Sequence, residues 1–271
     1  MSEKPLKEKV ADWVTHSGYP LEMYVAQSFR QAEFAAYQGE YYEDSEGPRE
    51  IDVVGAEVRS TKWGLLRFLF YIECKASRDK PWLLFVGEAH GYYASKERIA
   101  WGPANKIGRL MRRLLATSGG IEIFPLFRSV SHPAYGVVQS LRKSDGGDAS
   151  YAATMQVCKA AASLSKDADA GEQAQVWDRE AVIGFPVIVV DGILYTAKLV
   201  GDDLLLDEVE QYELLVRNPG LGPPTLVTVV TKKGLPDFVL RARATVDGIV
   251  AWCGRNGEEA ERAFRRLGRS E

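Results

Sequence analysis

The chain has 271 residues, 46% of them apolar and 26% charged, which is enough to build a packed core in a single elaborated domain. No apolar run reaches the roughly eighteen residues of a membrane span. The N-terminal MSEKPLKEKVADW carries charge where a signal peptide has its apolar stretch. A membrane partner is therefore not expected, and the cytoplasm is the expected compartment. The net charge of −3 argues against a uniformly basic nucleic-acid coat protein, and Cys74, Cys158 and Cys253 are too scattered for a disulfide framework or a CxxC zinc site.

The predicted elements begin with a short polar helix over 5–15. Ser17-Gly18-Tyr19-Pro20 breaks it, and a second helix is expected over 21–36, with Pro20 at its favourable first position. A short strand is expected at 40–43. Residues 49–58 and 65–76 are rich in β-branched and aromatic side chains and read as strands, joined by a hairpin at 60–64. A further apolar run spans 81–88. Residues 90–148 look like an insertion that carries a basic helix over 104–116, a Gly119-Gly120 turn and the run IEIFPLF, and a loop follows at 144–150. A helix is expected over 151–164, with its continuation through 167–175 open. FPVIVVDGILYTAKL (185–199) reads as strand, Asp-Gly turn, strand. Strands at 208–217 and 225–231 and a closing helix over 235–252, ended by Gly254, complete the order.

Charge is unevenly spread. Between Gly91 and Lys143 nine basic residues face two acids, whereas Val200–Leu215 holds six acids and no base. An acidic protein can thus keep a local phosphate-binding face. Lys106, Arg109, Arg112 and Arg113 recur at three- and four-residue spacing, which suits a helix face gripping nucleic-acid phosphates or, equally, a solvated face. Tyr92, Tyr93 and Trp101 nearby suit stacking on exposed bases or, equally, a place in the core. The acidic stretch and the apolar C-terminal helix leave room for a partner or a homodimer surface.

The residues that carry chemistry lie earlier. Asp52 stands in REIDVV, and Glu73 and Lys75 in FLFYIECKAS. Alternation along a strand puts Glu73 and Lys75 on one face, with Ile72 and Cys74 on the other. Acids and an ammonium on otherwise apolar strands are costly to bury, and a divalent metal with a phosphate substrate is one reason to keep them there. Glu22 adds a carboxylate on the apolar stripe of the second helix, beside Val25, Ala26 and Phe29. Taken alone, Asp52 fits a turn cap, Glu73 with Lys75 a cross-strand ion pair, and Glu22 a first-turn acid complementing the helix dipole.

Taken together, helix acid, I-D-V-V and I-E-C-K resemble the PD-(D/E)XK, or restriction-endonuclease-like, nuclease superfamily; Ile51 replaces the nominal proline of the motif. The resemblance covers about 18–80 and 149–200. It implies an α/β fold with a helix, three strands, helix, strand core, the basic insertion at about 90–148, and a strand-helix extension over 201–271. It also implies Mg2+ or Mn2+ held by Asp52, Glu73, the Cys74 carbonyl and Glu22, with Lys75 assisting attack on a phosphodiester. The function so implied is hydrolysis of nucleic acid, DNA ahead of RNA, in restriction, repair or anti-phage defence. The alternative is a nuclease-fold binding or assembly module without turnover. Gln156 and Lys159, on the helix after the motif, either approach the site or form a solvated face. No P-loop, G-x-S-x-G elbow or paired His/Cys site competes with this reading.

Overall fold

The computed structural model describes residues 4–44, 46–62, 64–87, 102–117, 124–128, 132–141, 147–166, 180–221 and 223–267. The expectations for Tyr92, Tyr93, Trp101, the Gly119-Gly120 turn, the start of IEIFPLF and of the 144–150 loop, and 167–175 lie outside them. Helix α1 (Leu6–His16) leads into α2 (Tyr19–Gln31), which opens on Pro20, where the missing N–H costs nothing. Leu21, Val25, Ala26 and Phe29 form its buried stripe. The helix is shorter than expected. Glu33 adopts a left-handed φ of 63°, and Ala35 and Ala36 pair with Ala56 and Gly55, so strand pairing overrides the helical preference of alanine.

Three antiparallel strands follow: β1 (Ala35–Asp44), β2 (Gly47–Thr61) and β3 (Gly64–Val86), the last two joined by the expected hairpin at Thr61 and Gly64. The runs expected at 65–76 and from 81 onward are two halves of one strand, which ends at Val86. They are separated by a bulge at Arg78–Lys80, which Ser77 closes by donating its hydroxyl to the Lys80 carbonyl at 2.7 Å. Next come α3 (Lys106–Thr117), β4 (Ala134–Gln139) and α4 (Ala149–Lys166). The described part of 90–148 does more than decorate the core, because β4 pairs with the second half of β3. Asp148 caps α4, its carboxylate accepting the Ser150 N–H at 3.0 Å.

Strand β5 (Glu180–Val200) corrects the expected 185–199 hairpin. It runs unbroken through Asp191-Gly192 and pairs parallel with both halves of β3, from Leu65↔Glu180 to Val86↔Lys198. Gly192 serves close approach rather than a turn: a Cβ there would lie 2.4 Å from the Ser77 carbonyl oxygen. Edge strand β6 (Asp203–Glu208), in the acidic stretch, pairs antiparallel with β5, and β7 (Gln211–Val216) pairs with β8 (Thr225–Thr231). Helix α5 (Leu235–Leu267) passes through Gly254 instead of ending there, with a kink at Asn256.

The eight strands form one mixed sheet in the order β1-β2-β3-β4-β7-β8-β5-β6, and the added β3–β5 pairing nearly closes its second half into a ring. The α/β class holds, and the sheet is larger than the sequence suggested. One core packs α2, α3 and α5 against the sheet around Phe29, Phe70, Met111 and Phe238; the other packs α4 against Tyr71, Trp82, Ile188 and Val229. Helix α2 lies flush on β2 because Gly55 leaves space for the Phe29 ring; a Cβ there would sit 2.6 Å from it. Among the described residues no helix is long and apolar enough to cross a membrane.

The unbroken β5 has a measurable consequence. Gly192→Ala is expected to cost about 1–3 kcal/mol in denaturant unfolding, because the β3–β5 pair must part to admit the methyl group. A loss under about 0.5 kcal/mol would mean that the two backbones are not in close register.

Candidate active site at the fork of strands β2 and β3

The ladder between β2 and β3 runs from Thr61↔Gly64 to Val53↔Ile72 and stops. Asp52 and Glu73 are the next residues in that register. In place of a ladder bond, the Asp52 carboxylate accepts the Cys74 N–H at 2.7 Å. This lets β2 leave β3 without orphaning a buried donor. The path of β2 changes here: Ile51 joins the α4 core and Val53 the α2 core, although alternate residues of a regular strand share a face. On β1, Gly39 stands at φ 66°, and the pairing skips it between Gln38↔Val53 and Glu40↔Ile51. Only glycine adopts such a φ without strain.

Strand β3 continues past the fork beside β5, with Glu73, Cys74 and Lys75 opposite Ile188, Val189 and Val190. The N–H and C=O of one strand residue face the same neighbour, so the Cys74 carbonyl is also turned to the Asp52 side. The Cys74 thiol joins the α2 core, and burial pushes it well above the usual thiol range.

Glu73 is fully buried. Its Oε1 accepts a hydrogen bond from the Lys75 ammonium, and its Oε2 is buried with no hydrogen-bond partner among the described residues. Burial first, then the field of Asp52, pushes the Glu73 carboxyl up to about 7, in spite of Lys75. Asp52 is also raised by burial, against the pull of the Cys74 N–H and Lys75. Glu22 is raised by burial and then by Asp52 and Glu50. For Lys75, burial works against the ammonium, but Glu73 and Asp52 outweigh it and hold its pKa above the ordinary value. The expected constellation therefore shares one electrostatic neighbourhood: Glu22, Asp52, Glu73 and Lys75 all feel one another.

Among the described residues no group of three His, Cys, Asp or Glu side chains stands as a ready-made metal-ligand set. Asp52 and Glu73 are the tight pair, and Glu22 acts on them through its field. The donor chemistry nevertheless fits a hard divalent cation: two carboxylates, a directed carbonyl and a buried carboxylate oxygen without a bond. Magnesium needs only one or two protein carboxylates beside substrate phosphate and water.

The basic helix departs from expectation at one position. Arg112 is buried, donates to the Gly184 carbonyl and stacks over the Phe127 and Phe185 rings at 5.8 and 5.4 Å; burial lowers its pKa to about 10. It fastens α3 to β5 and offers nothing to a phosphate. Arg109 donates to the Ala104 carbonyl at 2.9 Å but is exposed, as are Lys106 and Arg113. Gln156 and Lys159 do not form a solvated face. Gln156 donates to the Glu50 carbonyl at 2.8 Å and Lys159 pairs with Asp44 at 2.9 Å, so both tie α4 to the strands under the site.

Two site residues went unread in the sequence. Glu50, two positions before Asp52, raises both Glu22 and Asp52, and the E-x-D spacing on one strand was its signal. Tyr42, pushed up to about 12 by burial, Asp44 and Glu73, donates to the Gln156 carbonyl at 3.4 Å; nothing in its sequence surroundings marks it. No protein-family model matches this chain, and neither does a curated protein or a solved structure.

The raised Glu73 carboxyl sets a pH dependence. The folded protein holds this proton up to about pH 7, whereas the unfolded chain releases it near 4.5, so stability falls as pH rises through that window. Without metal, Glu73→Gln is expected to gain stability relative to the parent above pH 7, compared with the difference below 4.5. Denaturant midpoints measured across the range report this, and parallel curves would show that the carboxyl is not desolvated. Arg112→Met should cost about 1–3 kcal/mol of stability by leaving the Gly184 carbonyl a donor short. In a gel-shift assay with DNA the variant should be indistinguishable from the parent, and a stable variant that shifts DNA less than the parent would overturn the purely structural role of Arg112.

Proposed function

We propose that this chain is a metal-dependent nuclease, acting on DNA ahead of RNA, with α2, β1, β2, β3, α4 and β5 as a restriction-endonuclease-like core. The observation that carries the reading is the buried Glu73 carboxylate, one oxygen unbonded, beside Asp52 and the Lys75 ammonium at a fork in the sheet. With α3 and β4 taken as an insertion between β3 and α4, the remaining order of helix, three strands, helix, strand supports it.

Asp52, Glu73 and the Cys74 carbonyl would hold Mg2+ or Mn2+, with Glu22 adding to the negative field. Such an ion, when bound, supplies Lewis-acid polarisation of the scissile phosphate and offsets the charge of the acids. The chain itself does the rest. Asp52 is fixed in orientation by the Cys74 N–H, so it needs no reorganisation to meet a cation. Lys75, kept charged by its acidic neighbours and with 29% of its side chain exposed, presents an ammonium to the negative charge that builds on the phosphate oxygens as water attacks. Burial of Glu73 lowers the local dielectric, which strengthens each of these interactions.

One observation favours a second reading, a binding module without turnover: Lys75 is already bonded to Glu73, as in a structural ion pair. Plasmid, single-stranded DNA and RNA incubated with Mg2+ or Mn2+ separate the two readings. Asp52→Ala and Lys75→Ala should each lower cleavage at least about 100-fold while unfolding cooperatively. Mg2+ should raise the melting temperature of the parent and not that of Asp52→Ala. Retained cleavage in either variant rejects the assignment, and a parent that cuts none of the substrates supports the second reading.

A further inference from the structure

A second concave surface lies beside the fork, on the other side of β5. It has a volume of 440 Å³ and is lined by Tyr24, Asp191, Gly192, Lys232 and Lys233. Lys232 follows β8 directly, and its backbone N–H donates to the Val190 carbonyl at 2.8 Å. Val190 is also the register partner of Lys75 across the β3–β5 pair. The backbones of Lys75 and Lys232 thus flank the same residue, two strand spacings or about 10 Å apart.

The lysines suit a phosphate. The Lys232 ammonium sits over the Tyr24 ring, 5.4 Å from its centroid, and 3.8 Å from Asp191. Asp191 is already gripped by Arg78, whose Nε and Nη2 donate to it at 3.0 and 2.9 Å. Lys232 therefore has a long, shared ion pair and three donors to place. Lys233 pairs with Glu210 at 2.6 Å, with 82% of its side chain exposed, and an exposed pair of this kind exchanges readily for another anion. Gly192 has no side chain to fill the floor, and Tyr24 supplies an apolar wall.

We propose that Lys232 and Lys233, with Tyr24, hold a backbone phosphate of the DNA strand whose scissile bond lies at Asp52 and Glu73. This rests on the nuclease reading. The two lysines position the strand and do not touch the reacting atoms, so their loss acts on binding and not on the chemical step.

The test uses the full chain and a fluorescein-labelled DNA duplex with its separated strands. Anisotropy is measured in Ca2+ over a salt series, and cleavage kinetics in Mg2+. Lys232→Ala/Lys233→Ala is expected to weaken binding about 10-fold and to reduce the slope of log affinity against log salt by about 1 for each phosphate no longer neutralised. KM should rise with kcat within about twofold, by the logic of an interaction made equally in ground and transition states. The Mg2+-induced rise in melting temperature should persist, and Lys232→Arg/Lys233→Arg should restore binding. If the parent binds and the alanine variant matches it in affinity and salt slope, the pocket assignment falls and the nuclease reading stands. If kcat falls with KM unchanged, the lysines act on chemistry and the positioning role is wrong. If the parent neither binds nor cuts DNA, the assignment to DNA falls and takes this pocket with it.

Discussion

A carboxylate shut away from water, with one ammonium beside it, governs the rest of this structure. Glu73 occupies the centre of β3, which has β2 and then β4 on one edge, β5 along the other, and helices over both faces. Leaving a charge in such a place costs several kcal/mol unless it is neutralised or paired. Lys75 supplies one positive charge, but Asp52 and Glu22 add two more negative groups to the same field. The local balance is negative, and the raised carboxyls are how the protein relieves it when no cation is present. A divalent ion would relieve it differently, by letting the acids ionise. The same imbalance makes these buried acids costly to ionise together.

The fork depends on two glycines that hold β1, β2 and α2 in register. Gly39 lets β1 bend opposite Asp52, and Gly55 lets Phe29 bring α2 onto β2. Without Gly55, α2 would stand off and Glu22 would lose its coupling to Asp52. Gln156 and Lys159 on α4 brace the opposite side through Glu50 and Asp44. The site is thus framed by elements from both cores, which is why its acids come from α2, β2 and β3.

Much of this was legible in the sequence, because the local rules agree with the global fold around the motif. Alternation put Glu73 and Lys75 on one face, and their hydrogen bond follows from it. Pro20, the helical stripe from Leu21 to Phe29 and the 60–64 turn each mark a boundary or a face correctly. The misses share a cause: tertiary pairing overrode a local signal. Asp191-Gly192 carries the strongest hairpin signature in the chain, yet β3 offers β5 a parallel partner on both sides of it, and the glycine is needed to let backbones approach. Gly254 looks like a helix stop but lies within α5, and the acidic stretch hid edge strand β6 because its leucines lie between charges with no alternation. Arg112 has the spacing of a surface residue, and only the ring pair Phe127 and Phe185 discloses that it is inside.

Positive charge is distributed by topology rather than by its density along the chain. The basic run at 91–143 stands out because its charges are close in sequence, but α3 turns Arg112 inward. Lys75, Lys232 and Lys233 come from segments more than 150 residues apart, and no window of the sequence groups them. The strand order does, because β3 and β8 both border β5 and meet it at Val190. The backbone of Lys232 is tied to Val190 by a ladder hydrogen bond, whereas a cation on a surface helix is placed only by the packing of that helix. Rigidity of this kind matters for a phosphodiester, whose in-line attack tolerates little misplacement. On the nuclease reading proposed above, the sheet rather than the helix is the part of this fold that would register a charged strand against Asp52 and Glu73.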